Sequence, residues 1–320
     1  VSTPHTPHTP NPNVRPTLGF VGAGRVARAL ASASANAGYD VTVIASRRLD
    51  AAKRVADATS GCRAIAIDRP EAMGAVFAHA DLVFLTVPDD AIASCASHLA
   101  PRAGQALVHC SGASEVALLA PAARHGAEIG GFHPLFLFAG LDDDATRLSG
   151  STITIEAEGR LNEALHALAN AIGCRALSIP AGERMRYHAG ANYAASFLLC
   201  LLEEATQLWH AVGMPEDAAR DAMWPLVMGT LNAARERGLS GALAGPVSRG
   251  DAGIVMRHTE ALASMGGNHA TLYSLLTLRA IRLARQRPGA DGAALDAIAR
   301  AIAPYLPPAA AAPTPHDSAE

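Results

Sequence analysis

Lysine is almost missing from this chain. Lys53 is the only one, and apart from histidine every other basic residue is arginine. A lysine proton donor is therefore excluded from the C-terminal half. Cysteine is sparse as well. Cys62, Cys95, Cys110, Cys174 and Cys200 are scattered and form no C-x-x-C pair, which predicts a reduced, cytoplasmic setting. Positive charge is not in excess: 26 Lys and Arg against 29 Asp and Glu leave a net charge of −3 with no basic run. Nucleic acid is not an expected partner. No apolar run is long enough to span a membrane. The best, Tyr193–Leu202, stops at Glu203 and Glu204. No internal repeat is present.

The chain does have length, alanine and glycine. Its 320 residues, half of them hydrophobic, leave room for two domains with substantial cores. Alanine favours helix. Residues 1–16 are Pro, His, Thr and Asn with no apolar segment, so no secretory signal and no order are expected there. His5 and His8 sit in that tail with no core around them, so no metal site is expected. The Pro/Ala-rich stretch 307–320 reads as a second tail.

The organising stretch is Leu18–Leu30, Leu-Gly-Phe-Val-Gly-Ala-Gly-Arg-Val-Ala-Arg-Ala-Leu. An apolar strand enters a glycine turn that opens a helix. Gly22 allows the sharp bend, Gly24 leaves the main chain bare, and Ala27 holds the third small position of G-x-G-x-x-G/A. Amides over Gly22, Ala23, Gly24, Arg25 and Val26 are thus expected to hold a pyrophosphate, helped by the helix dipole. A second strand follows (Tyr39–Ala45), as a βαβ unit requires. Where an NAD enzyme usually carries Asp or Glu, this chain has Ser46-Arg47-Arg48. A hydroxyl and two guanidiniums suit a 2′-phosphate, so the expected cofactor is NADP.

Strands and helices then alternate to about Ile179. Asp81–Val87 is a near-continuous apolar run, read as a buried parallel strand. Ligands of doubly wound sheets sit beyond the carboxyl ends of the strands, so Val87 and Pro88 are expected beside the cofactor. Two more turns at such ends carry Ser111 and His133, the second as a His133-Pro134 turn after a strand over Glu128–Phe132. His109, inside a strand, reads as a satisfied core residue. Beyond Pro180 only helices are expected, beginning with a long one over Glu183–Val212. The expected fold is α/β, a doubly wound parallel Rossmann sheet followed by an all-α domain. Its divisions are 1–16 tail, 17–180 dinucleotide domain, 181–306 helical substrate and dimerisation domain, and 307–320 tail.

His188 and Asn192 lie four apart and share one helical face, with Ala189, Gly190 and Ala191 between them. Hydride transfer to C=O or C=N needs a group that gives a proton or holds charge. With lysine excluded, His188 is a candidate donor, with an intrinsic pKa suited to neutral pH. Asn192 would orient it or the substrate, His133 is the rival donor, and Tyr187 is weaker because it is read on another face. Arg249, in the loop Ala244–Asp251, could take a substrate carboxylate. Asp251 reads as a helix cap.

These motifs resemble the 6-phosphogluconate/3-hydroxyisobutyrate dehydrogenase superfamily, which includes pyrroline-5-carboxylate reductase and deazaflavin-dependent NADP reductases. The segments Gly131-Phe132-His133-Pro134-Leu135, Tyr187-His188-Ala189 and Gly245–Asp251 more closely resemble a family of Rossmann-like NADP oxidoreductases with a helical C-terminal domain of unknown function. By resemblance, a catalytic Lys and an Asn four residues on fall at His188 and Asn192. A substrate-binding serine loop falls at Cys110-Ser111-Gly112, with His109 in place of the usual Asp. The resemblance also implies a homodimer formed through the helical half.

The reading is therefore an NADP-dependent oxidoreductase for a small polar substrate, carbonyl, alcohol or imine. The alternatives are a non-catalytic NADP-binding sensor or assembly protein, and an interaction module built on the apolar helices.

Overall fold

The computed structural model describes residues 15–59, 61–68, 70–141 and 143–308. Most of the two expected tails lies outside the described residues. The described residues form two compact units, one ending at Leu199 and the other beginning at Cys200.

The first unit is an eight-stranded sheet. Its strands are β1 (Leu18–Val21), β2 (Val41–Ser46), β3 (Arg63–Ala66), β4 (Leu82–Leu85), β5 (Ala106–His109), β6 (Glu128–Leu135), β7 (Thr152–Glu156) and β8 (Arg175–Ser178). The order across the sheet is β3-β2-β1-β4-β5-β6-β7-β8. All neighbours run parallel except β6 and β7. The chain starts in the middle at β1, winds outward to β3, and returns to β4 on the other side. That reversal between β1 and β4 is the switch point at which such sheets bind ligands.

Helices α1 (Arg25–Asn36), α2 (Leu49–Ala56), α3 (Pro70–Met73), α4 (Ile92–His98), α5 (Ala120–Arg124), α6 (Asp144–Arg147), α7 (Gly159–Ala171) and α8 (Arg184–Ala194) complete this unit. Two cores form, one on each face. Ala27 and Leu30 of α1, Val55 of α2 and Leu165 of α7 pack on Phe20, Phe84, Phe132 and Ile155. Met73 of α3, Ile92 and Ala96 of α4 and Ala122 of α5 pack on Val43, Val83, Leu85 and Leu107. Strands buried on both faces explain the continuous apolar runs in the sequence.

Two expectations need correcting. The His133-Pro134 turn is strand: β6 runs on to Leu135, pairing His133 with Thr154 and Pro134 with Ile153 of β7. The proline is tolerated because β5 ends opposite Gly131, so Pro134 has a sheet neighbour on one side only. The long helix expected over Glu183–Val212 is broken. α8 ends at Ala194, Ala195 leaves helical geometry (φ −113°, ψ −81°), and α9 (Ser196–Ala211) begins after it.

The second unit is helical: α10 (Glu216–Ala242), α11 (Ala252–Ser264), α12 (His269–Arg285) and α13 (Gly292–Ile302). Its core joins Val255, Ile281, Leu295, Ile298 and Ile302. Asp251 caps α11 by accepting from the Ile254 amide at 2.9 Å, and Asp291 caps α13 by accepting from Ala294 at 3.1 Å. Arg287 ties down the end of α10 through the carbonyls of Ser240 and Leu243. No helix of the described residues is long and apolar enough to cross a membrane.

Candidate functional site

The glycine turn does two different things with its two glycines. Gly22 has φ 107°, and a Cβ there would overlap the carbonyl of Thr86, which follows β4. Thr86 fixes this crossing further, donating from Oγ1 to the Val21 and Gly22 carbonyls. Gly24 is the reverse case: nothing lies within 4 Å of the position a Cβ would take. It is also the N-cap of α1, with no side-chain cap and no acidic residue in the first turn. The helix thus opens with bare amides, the positive end of its dipole, and free space. This fits a diphosphate.

Ala23 and Val26 are half-buried beside this turn, and Arg25 is exposed. Arg25 donates to the Phe138 carbonyl at 3.3 Å, and Arg28 donates to the carbonyls of Gly140 and Leu141. The loop after β6 is thereby strapped to the start of α1. At the end of β2, Ser46 Oγ accepts from the Arg48 amide at 3.4 Å. Arg47 and Arg48 are exposed, and Arg48 lies 3.8 Å from Asp50. Val87 is half-buried and Pro88 exposed beyond the end of β4.

Contacts continue along the carboxyl edge of the sheet. Ser111, after β5, donates from Oγ to Asp89 at 2.9 Å and accepts from the amides of Ala113 and Ser114. Its hydroxyl is occupied in shaping its own loop. The next residue, Gly112, lies against two imidazoles. A Cβ there would come within 2.6 Å of His188 Cδ2 and 2.9 Å of His133 Nε2.

Helix α8 turns an unusual polar stripe to the sheet, buried at Arg184 and exposed by His188. Its residues at i, i+3 and i+4 are Arg184, Tyr187 and His188, and all three meet the sheet unit. Arg184 is fully buried. It donates from Nε to Glu156 at 2.5 Å and from Nη1 to the Ser111 carbonyl at 2.7 Å. Its guanidinium lies where a side chain at Gly131 would be. In the sheet, Gly131 is paired with His109 on one side and Glu156 on the other, so the arginine lies over a gap in a polar row. Burial raises the Glu156 pKa, against the opposing pull of Arg184.

Tyr187 spans the next pair in register, His133 and Thr154. Thr154 donates to the phenol oxygen at 2.7 Å, and that oxygen lies 2.8 Å from His133 Nδ1. The His133 and His188 rings stand edge to face, 6.1 Å between centroids. Burial, then the His188 and Arg184 charges, lower the His133 pKa to about 4, with Asp89 opposing. His188 is exposed and Asn192 half-buried.

Residues 4–134 match the model of a Rossmann-like domain, and residues 151–280 match a domain of unknown function (DUF2520). The chain is a Rossmann-like domain followed by a DUF2520 domain. Among solved structures it is similar to protein TM1727 from Thermotoga maritima, with 23% identity and a TM-score of 0.70 over 84% of this chain and 99% of that one. It is also similar to the putative NADP oxidoreductase BF3122 from Bacteroides fragilis, with 22% identity and a TM-score of 0.67 over 84% and 98% of the two chains. An imine reductase variant from Myxococcus stipitatus, in complex with NAD+, follows at 17% identity and TM-score 0.57 over 89% and 99%. These likenesses establish the fold. No curated protein matches this sequence.

Gly22–Val26, Ser46–Arg48, Val87, Pro88, Ser111 and His133 fall in the Rossmann-like match, and His188, Asn192 and Arg249 in the DUF2520 match. The start of the DUF2520 match, through β7 and α8, completes the edge that carries Ser111 and His133. Arg249 belongs to the second unit, exposed at the end of a 3-10 turn over Val247–Arg249. Two readings change. Tyr187 shares the buried face of α8. His109 is buried with neither ring nitrogen in hydrogen-bond geometry to a described residue, and burial lowers its pKa to about 3 against the opposing Glu115 backbone. Thr154, Glu156 and Arg184 were not singled out in the sequence. Their only signal is polarity where apolar residues belong: Thr and Glu in a buried strand, and Arg on the packed face of a helix.

Proposed function

We propose that this chain is an NADP-dependent oxidoreductase acting on a small polar carbonyl, alcohol or imine, with a carboxylate-bearing one expected. One observation carries this reading. The uncapped start of α1 and the cluster of His133, Tyr187 and His188 lie at the same carboxyl edge of one sheet, joined through Thr86, Asp89, Ser111 and Gly112. A dinucleotide along that edge has amides for its diphosphate at one end and titratable groups at the other. When bound, the cofactor supplies or accepts a hydride at its nicotinamide ring.

The protein's share is binding, orientation and proton handling. Gly22, Ala23, Gly24, Arg25 and Val26 are assigned to the diphosphate. Ser46, Arg47 and Arg48 are assigned to the 2′-phosphate, and their exposure and positive charge support NADP over NAD. Val87 and Pro88 flank the cofactor. His133, His188 and Asn192 are assigned to the reacting end, and Ser111 to the loop that faces them. The described NADP oxidoreductase and imine reductase neighbours support the same reaction class. Apolar residues exposed on α10, among them Trp224, Leu226 and Met228, support the expected homodimer.

Calorimetry with NADPH and NADH tests the first half. NADPH is expected to bind at least tenfold more tightly, on the order expected for loss of charge-assisted hydrogen bonds to a phosphate. Absence of heat with both nucleotides at millimolar concentration ends the proposal. NADPH oxidation with aldehydes, 2-oxo acids and cyclic imines tests the second half. Tight binding with no turnover on any class selects the sensor reading.

A further inference from the structure

We propose that His133 is the group that meets the reacting heteroatom, that it does so as a neutral imidazole donating from Nε2, and that the heteroatom is a carbonyl oxygen. This inference rests on the oxidoreductase reading and narrows it to carbonyl and alcohol substrates.

The hydrogen bonds around Tyr187 favour one tautomer. Thr154 Oγ1 donates to the Tyr187 oxygen. The phenol proton is then free to point to His133 Nδ1, 2.8 Å away. A neutral ring that accepts at Nδ1 carries its proton on Nε2. Nε2 has no hydrogen-bond partner among the described residues. It lies on the Gly112 side of the ring, where a Cβ would approach it to 2.9 Å. His133 is half-buried, paired with β7 and held at Nδ1 by Tyr187, whereas His188 is exposed with no side-chain hydrogen bond among the described residues. A fixed donor is the better catalytic group, since its orientation costs nothing at the moment of reaction.

The surroundings choose between oxygen and nitrogen. His133 faces His188, Tyr187 and Arg184 from α8, His109 from β5, Asp89 after β4 and Thr154 from β7. Burial and the positive neighbours hold the ring neutral at pH 7. An imine must be protonated to be reduced readily, and its N–H then needs an acceptor or a carboxylate. Here it would face an N–H. Two carboxylates of this edge already accept from other groups, Asp89 from Ser111 and Glu156 from Arg184. A carbonyl oxygen needs a donor and a positive field as charge develops, and both are present.

Reduction adds a hydride from the dihydronicotinamide to the carbonyl carbon, and the π pair moves to oxygen. The alkoxide takes the Nε2 proton as Nδ1 takes the Tyr187 proton; the phenolate then takes the Nδ1 proton back as water reprotonates Nε2, leaving hydroxide to solvent. His133 is thus catalytic, and Tyr187 is a positioning residue that sets its tautomer.

Nitrogen-15 NMR of the histidine-labelled full chain tests the tautomer without turnover. The expected spectrum shows His133 neutral with its proton on Nε2 from about pH 7 to about pH 5. Tyr187→Phe should mix the two tautomers. A proton on Nδ1, or titration near the ordinary histidine value, overturns the assignment. The second arm measures NADPH oxidation with an aldehyde or ketone and a cyclic imine of matched size. The carbonyl is expected to have at least a tenfold higher kcat/KM. His133→Asn should lower kcat by about 100-fold with KM little changed. Tyr187→Phe should lower kcat less and shift its acid limb. A faster imine, or loss on His188→Asn with His133→Asn active, overturns the proposal. No binding of either nucleotide sinks the oxidoreductase reading and the oxygen assignment with it, and the NMR arm still judges His133.

Discussion

Gly131 and Arg184 exclude one another's alternatives: the arginine guanidinium fills the place of a Cβ on residue 131. That guanidinium is fully buried, paired with Glu156, and holds the carbonyl of Ser111. Gly131→Ala therefore has no cheap solution, because the obstruction is a charged group locked by two hydrogen bonds. Displacing it strands buried charge, which costs about 3–5 kcal/mol. Urea unfolding should show a loss of that size, and Arg184→Met in the Gly131→Ala background should recover part of it. An unchanged midpoint for Gly131→Ala would mean that the arginine does not sit there.

Acid should destabilise the first unit through two histidines. In the unfolded chain both titrate near 6.5, and in the fold burial first, then positive neighbours, bring His133 to about 4 and His109 to about 3. Between 6.5 and these values the unfolded chain binds more protons, so stability falls as pH falls. Each unit of difference is about 1.4 kcal/mol. The stabilising neutral forms are fully present above 6.5, and the loss is complete for His133 near 4 and for His109 near 3. Glu156, raised by burial, works in the opposite direction. His109→Leu removes a buried ring with no hydrogen-bond partner among the described residues. It should leave neutral-pH stability nearly unchanged and flatten the acid limb of the unfolding midpoint. A steeper limb in the variant contradicts this.

The sheet was legible in the sequence because its information is local. The inner strands are short apolar runs, β7 alternates, and β1 to α1 has a motif with a mechanism. The helical site face was less legible. Buried helix faces are sought as apolar stripes, and α8 packs Arg184 and Tyr187 there instead, so spacing alone points Tyr187 away from the site. The break at Ala195 carries no signal: Ala194, Ala195 and Ser196 all tolerate helix, and tertiary context decides. Pro134 reads as a turn until the strand order shows that β5 has already ended beside it. His109 reads as core from its strand, but sequence alone cannot say whether a buried imidazole has a partner.

Cofactor preference should be reversible at one position. Arg47 is exposed past the end of β2, next to the Ser46 hydroxyl that already serves the Arg48 amide. Arg47→Asp replaces a phosphate donor by a repelling charge. The Kd for NADPH should rise by about 10- to 100-fold, in line with the loss of charge-assisted hydrogen bonds to the 2′-phosphate, with that for NADH changing far less. Calorimetry or fluorescence titration of both nucleotides decides it. Equal weakening of both would remove Arg47 from the adenosine end.

The two glycines of the turn should fail in different ways when given a methyl group. At Gly22 the methyl meets the Thr86 carbonyl, and φ 107° is strained for any L side chain. Backbone on both sides leaves nothing to yield, so Gly22→Ala should lower stability by at least about 1–3 kcal/mol without ligand. At Gly24 the methyl meets nothing within 4 Å, and the backbone is already extended. Gly24→Ala should therefore unfold at nearly the wild-type urea concentration. Its methyl enters the space before the α1 amides, where a diphosphate must come within hydrogen-bond reach. NADPH affinity should fall by about tenfold or more in a protein that is otherwise intact. Normal affinity in Gly24→Ala would show that the start of α1 holds no phosphate, whatever the likeness of its sequence to a dinucleotide turn.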